Sequence, residues 1–126
     1  MKITATIARY LLGIIFFVFG LNGFVHFIPT PPPEGPGGQF VGALFTSGEL
    51  AVIMALQLVA GGLLLANRYV PLALAAIGPV IVNILLFHAF MDRSGLPVAI
   101  VAIALWIVAL VGVRDAFAGL LVARRA

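Results

Sequence analysis

The sequence predicts an all-α integral membrane protein, an antiparallel four-helix bundle with a short interfacial segment after the first helix. Three observations carry that expectation. Of 126 residues, 63% are hydrophobic and 9% charged, against roughly 25% charged in a soluble domain, and the mean hydropathy is +1.25. Four stretches, near residues 7–28, 49–66, 70–91 and 97–113, are each apolar over about the length a helix needs to cross hydrocarbon. Finally, Lys2, Arg9, Arg68, Arg114, Arg124 and Arg125 fall on one side of the four-span arrangement, and only Arg93 on the other. Basic residues accumulate on the cytoplasmic side of short loops, so both termini are expected there. Three or five spans would scatter these charges over both faces.

Composition also excludes. With no cysteine there is no disulfide, thiolate metal site or thiol relay. The formal charge of +3 comes from 7 basic and 4 acidic residues, too few and too dispersed to indicate nucleic acid. The whole chain, 1–126, reads as one transmembrane domain.

The first span follows Lys2 and Arg9, but its apolar run exceeds the roughly 7 to 15 residues of a secretory signal and no small-x-small site follows, so it is read as retained. The external segment 29–48 has two halves. Five prolines and three glycines between Pro29 and Gly38 predict extended or turned chain and no regular helix. Phe40, Val41, Leu44 and Phe45 then recur at helical spacing, which suggests a short helix over 39–48 lying on or dipping into the outer interface as a lid, with a loop of incidental periodicity as the alternative. "TSGE", ending at Glu49, reads as a capping box opening the second span. The "NRY" before Pro71 and "DRSGLP" mark the next two breaks, with Asp92 and Arg93 expected as a solvated pair. Small residues, among them Gly13, Gly20, Gly23, Ala60, Gly61, Gly62 and Gly78, would let the helices approach closely.

Polar residues inside the spans are costly in hydrocarbon and should face the interior, a partner or a water-filled cavity. At about 1.5 Å per residue, His26, His88 and Glu49 share a level near the outer surface, Asn22 and Asn83 lie one tier below, and Gln57 sits near the midplane. The convergence predicts an outward-facing pocket lined by Asn22, His26, Glu49, Asn83 and His88, with Phe24, Phe27, Phe87 and Phe90 as its aromatic wall. Asn22 and His26 are about 40° apart on a helix and can share one wall, whereas Asn83 and His88 are about 140° apart. Each polar residue also has a plainer role open to it: hydrogen-bond glue for the amides, a cap for Glu49, interfacial wetting for the histidines. Two imidazoles and a carboxylate would suit zinc in principle, but the spacing is not diagnostic, and no metal site is predicted.

"ARYLLGIIFFVFGLNGFVHFIP", "LQLVAGGLLLANRYVPLAL", "GPVIVNILLFHAF" and the final "VRDAF" together resemble the DoxX family of small four-helix membrane proteins, over nearly the whole chain. The resemblance implies a bacterial cytoplasmic (inner) membrane and an antiparallel bundle. A relative in that family belongs to an archaeal thiosulfate:quinone oxidoreductase, so it also implies quinone or redox partnership. Relatives often carry Glu where this chain has Gln57; an amide does not titrate, which leaves Gln57 a binding role and no proton-handling one. The expected function is that of a noncatalytic scaffold or accessory subunit of a membrane complex, with the bilayer and other membrane proteins as partners. The alternative is a quinone-binding, redox-associated subunit in which His26 or His88 bonds a quinone oxygen; another lipid is the other ligand considered. No catalytic residue is singled out.

Overall fold

The computed structural model describes residues 2–28 and 34–123, and these are helical with no strand among them. Five α-helices follow in order: α1 Lys2–Val25, α2 Gly35–Ser47, α3 Glu49–Ala66, α4 Val70–Phe90 and α5 Leu96–Gly112. A 3-10 turn, Arg93–Gly95, joins α4 to α5, and a 3-10 segment, Arg114–Leu121, follows α5. Four helical segments, Lys2–Val25, Glu49–Ala66, Val70–Phe90 and the continuous Arg93–Gly112, are long and apolar enough to cross a membrane.

The breaks at Gly48 and at Asn67–Tyr69 fall within a residue or two of where the sequence predicts them, and each has a local cause. Gly48 takes a left-handed conformation (φ 87°) that a side chain would strain, and its N–H closes α2 on the Phe45 carbonyl. Asn67 ends α3 in the same region (φ 55°), while the Arg68 N–H bonds the Leu63 carbonyl at 3.0 Å. Asparagine is among the few non-glycine residues that adopt this cap readily. Tyr69 is also left-handed (φ 50°), and Pro71 preorganises the first turn of α4.

Two expected boundaries are corrected. The first helix stops at Val25, short of residue 28, because the Asn22 side chain captures the backbone of Ile28: its Oδ1 accepts the Ile28 N–H at 2.7 Å, and its Nδ2 donates to the Ile28 carbonyl at 3.4 Å. Such local amide bonding competes with the helix ladder. Second, α2 starts at Gly35 and not near 39, so Gly35–Gly38 is helical despite its composition. Pro36 sits in the first turn, where its missing N–H has no helical partner to lose. The rest of the proline run, 29–33, lies outside the described residues.

Two local pairings also differ from expectation. Thr46 does not cap α3; its hydroxyl donates back to the Gly42 carbonyl at 2.9 Å, and Ser47 Oγ accepts the Glu49 N–H at 3.3 Å. The Asp92 carboxylate accepts from Ser94, from the hydroxyl at 2.6 Å and the N–H at 3.2 Å, in place of pairing with Arg93.

The four long helices close a ring in which α1 packs on α3 and α5, and α4 packs on the same two. At the centre lie Leu12, Leu64, Leu74, Ile77 and Ile81, all essentially fully buried. Closest approach is between α1 and α3: a Cβ on Gly20 would stand 2.7 Å from the Leu58 backbone nitrogen, and one on Gly61 would collide with the Phe17 backbone. Trp106 pins α5 to α4, its Nε1 donating to the Leu74 carbonyl at 2.9 Å while its ring lies over Gly78. Large apolar side chains such as Ile7, Val52, Val59, Leu72 and Val98 are exposed around the ring.

Candidate functional site

The site is assembled at the end of the ring that carries α2. That helix lies against α3, and its Gly37 approaches Phe87, the Met91 carbonyl and Asp92 at the end of α4. Between α2, α3 and α4 is a cavity of about 440 Å³. Its α3 wall is Leu50, Ile53, Met54 and Gln57, a stripe at i, i+3, i+4, i+7, with Glu49 beside it. Its α4 wall is Val80, Asn83, Ile84, Phe87 and His88, and α2 contributes Phe40, Val41 and Leu44.

The lining is mainly apolar with four polar groups. Gln57 is 6% exposed and is the one buried polar residue among the described positions. No protein hydrogen bond to its side chain is found among the described residues, and no polar atom there is sealed away without a partner, so its amide faces the cavity it lines. Asn83 donates one amide hydrogen to the Pro79 carbonyl at 3.2 Å, which leaves its second hydrogen and its oxygen free. His88 Nδ1 lies 2.9 Å from the Asp92 carbonyl. A carbonyl only accepts, so Nδ1 carries the proton, and in the neutral ring Nε2 is an acceptor.

His88 is held in place from three sides. The Asp92 carbonyl bonds Nδ1, Phe87, itself packed on by Phe40 of α2 at 5.8 Å, meets the ring edge to face at 5.0 Å, and Gly95 lies so close to the imidazole that any side chain there would strike it. Asp92, outside the long helices, has its carboxyl pKa lowered, chiefly by the Ser94 hydroxyl and N–H and less by His88.

Of the residues expected at the pocket, the structure brings together Glu49, Asn83, His88 and Phe87. The 140° between Asn83 and His88 is accommodated because the α4 stripe is that wide, with Val80, Ile84 and Phe87 between them. Asn22 and His26 are not in the lining: Asn22 is spent on Ile28, and His26 stands exposed in a left-handed conformation (φ 58°) past the end of α1. Phe24, Phe27 and Phe90 are exposed. Gln57 lines the cavity although its depth along the helix puts it below the expected pocket; the apolar positions at helical spacing from Gln57 and Asn83 are the signal that finds the remaining wall. Among the described residues no group of three His, Asp or Glu side chains gathers to hold a metal.

The chain matches no family model, no curated protein and no solved structure.

Proposed function

We propose that this chain is an accessory subunit of a bacterial inner-membrane complex that binds a small lipid-soluble molecule with a quinone-like ring beneath α2. The observation that carries the reading is Gln57, a residue only 6% exposed whose side-chain amide has no protein partner among the described residues and faces a mainly apolar cavity. A buried polar group is costly unless it is hydrogen-bonded. A cavity of about 440 Å³ with apolar walls and a few convergent polar groups has the usual make-up of a small-molecule site.

The donors match the ligand class. A quinone carbonyl accepts from the amides of Gln57 and Asn83, its ring packs against Phe40 and Phe87, and a quinol hydroxyl donates to His88 Nε2. The role assigned is binding, and no electron-transfer step is attributed to these side chains. The surrounding frame is an antiparallel four-helix bundle in the bilayer, with both termini cytoplasmic and the cavity toward the outer leaflet, as in the DoxX family the sequence resembles. In support, the contacts of α1 with α3 run in opposite order, Gly13 with Leu64 and Leu65, Phe17 with Gly61, Gly20 with Leu58, and the outward face is apolar.

Thermal unfolding in detergent with a short-chain ubiquinone analogue tests the reading. The analogue should raise the midpoint of the wild type by about 10 °C, what ligand at 100 times its Kd gives a chain of this length. Gln57→Leu should weaken binding about 10-fold, the worth of one buried hydrogen bond, while His26→Ala should bind as wild type. An unchanged midpoint in the wild type would favour the scaffold reading.

A further inference from the structure

At the opposite end of the ring a second cavity, of about 450 Å³, opens among the start of α1, the α3–α4 turn and the end of α5. Its chemistry is the reverse of the first. Lys2, Arg9 and Arg114 line it, together with Thr6 and Asn67, and Asp115 is the single acid in the lining. We propose that this cavity is a phosphate site that takes the headgroup of an anionic phospholipid.

Three features support the assignment. Arg9 is half-buried and fixed from behind, one guanidinium nitrogen donating to the Leu64 carbonyl and the guanidinium carbon lying over the Tyr10 ring, 4.2 Å from its centre. That leaves its other donors for a planar array of oxygens without further loss of side-chain freedom. Lys2 and Arg114 reach the same cavity from separate elements, so three positive charges meet one negative one in a concave space. The cavity is also built into the packing: it lies where Gly112 lets α5 come against Ala5 of α1 without a side chain between them, and the α3 cap Asn67 lines it too. A surface that only needed to be basic would require neither the cavity nor the fixed guanidinium.

The lipid source rests on the membrane reading; the phosphate chemistry does not. Either a phospholipid headgroup or a free phosphate would satisfy these donors, and native mass spectrometry separates them. The detergent-purified full chain is mixed with equal phosphatidylglycerol and phosphatidylcholine, with and without millimolar inorganic phosphate. The wild type should retain the anionic lipid at least about fivefold over the zwitterionic one. Lys2→Gln with Arg114→Gln should abolish that preference, whereas Arg68→Gln, a basic residue outside the cavity lining, should keep it. Asp115→Asn should strengthen it. Arg9 is left intact because it also ties α1 to α3. Displacement of the lipid by inorganic phosphate would assign the site to free phosphate, and resistance to it would assign the site to the lipid. Equal retention of the two lipids by the wild type, together with no phosphate binding, overturns the proposal. So does a preference that survives the double variant or falls as much with Arg68→Gln. The quinone analogue's effect on the unfolding midpoint is read on the same variants; it should be unchanged, so loss of one site is distinguishable from loss of the other.

Discussion

Single side chains decide where this chain turns and where it leaves polar groups unpaired. Asn22 looks like half of a binding wall, yet its amide bonds both polar groups of the Ile28 backbone. The sequence could show that Asn22 was polar in an apolar run but not which partner would claim it, because the competitor is backbone six residues away. Asn22→Ala should therefore cost about 1 to 2 kcal/mol of stability and leave ligand binding unchanged, measured by unfolding with and without the quinone analogue. Glycine offers a sharper contrast. Gly61 faces the Phe17 backbone, which cannot give way as a flexible side chain would, while its neighbour Gly62 faces open space. Gly61→Ala should destabilise by about 1 to 3 kcal/mol; Gly62→Ala should be neutral or stabilise by up to about 1 kcal/mol, since alanine is the better helix former. Both are read as shifts in the unfolding midpoint.

Among the elements, α2 is what turns a groove into a cavity. The spacing of Phe40, Val41 and Leu44 suggests a helix, and in the structure those residues lie on one and line the cavity. Its start was hidden because proline counts against a helix everywhere except the first turn, where Pro36 lies. Removing the Phe40 ring, which packs on Phe87, should speed ligand release about 10-fold with little effect on the four-helix ring, observable as faster exchange of labelled quinone analogue from Phe40→Ala. The turn after α4 adds a pH signature. Because hydrogen bonds from Ser94 hold the Asp92 pKa below its ordinary 3.8, the carboxylate's contribution is complete above that value and is lost as pH falls through the lower, folded one. Amide exchange across 92–96 should stay slow to below pH 4 and then rise, whereas in Asp92→Asn, which does not titrate, it should lack that acid step.

At the scale of the whole molecule, hydropathy made the long helices legible to within a few residues at most ends, because a run of about 20 apolar residues leaves few alternatives. The cavity was less legible. Depth along the helices puts Glu49 and His88 at one level, yet it takes each helix as independent and complete to its expected end, which includes His26 and leaves out Gln57. Which face of each helix meets a neighbour depends on where small residues such as Gly20 and Gly61 allow close approach, and that is a property of pairs of helices. The membrane frame has its own test, since the chain has no cysteine. In intact cells Ser94→Cys should react with an impermeant maleimide, and Arg68→Cys should react only after permeabilisation; the reverse pattern would invert the orientation, and labelling of both would contradict the four-span frame.

Whether the cavity under α2 holds a small lipid-soluble ring through Gln57 is decided by mass spectrometry of an organic extract of the purified protein, wild type beside Gln57→Leu. A quinone should be enriched toward one per chain in the wild type and reduced about 10-fold in the variant. No enriched quinone in the wild type, or equal enrichment in both, would contradict binding through Gln57.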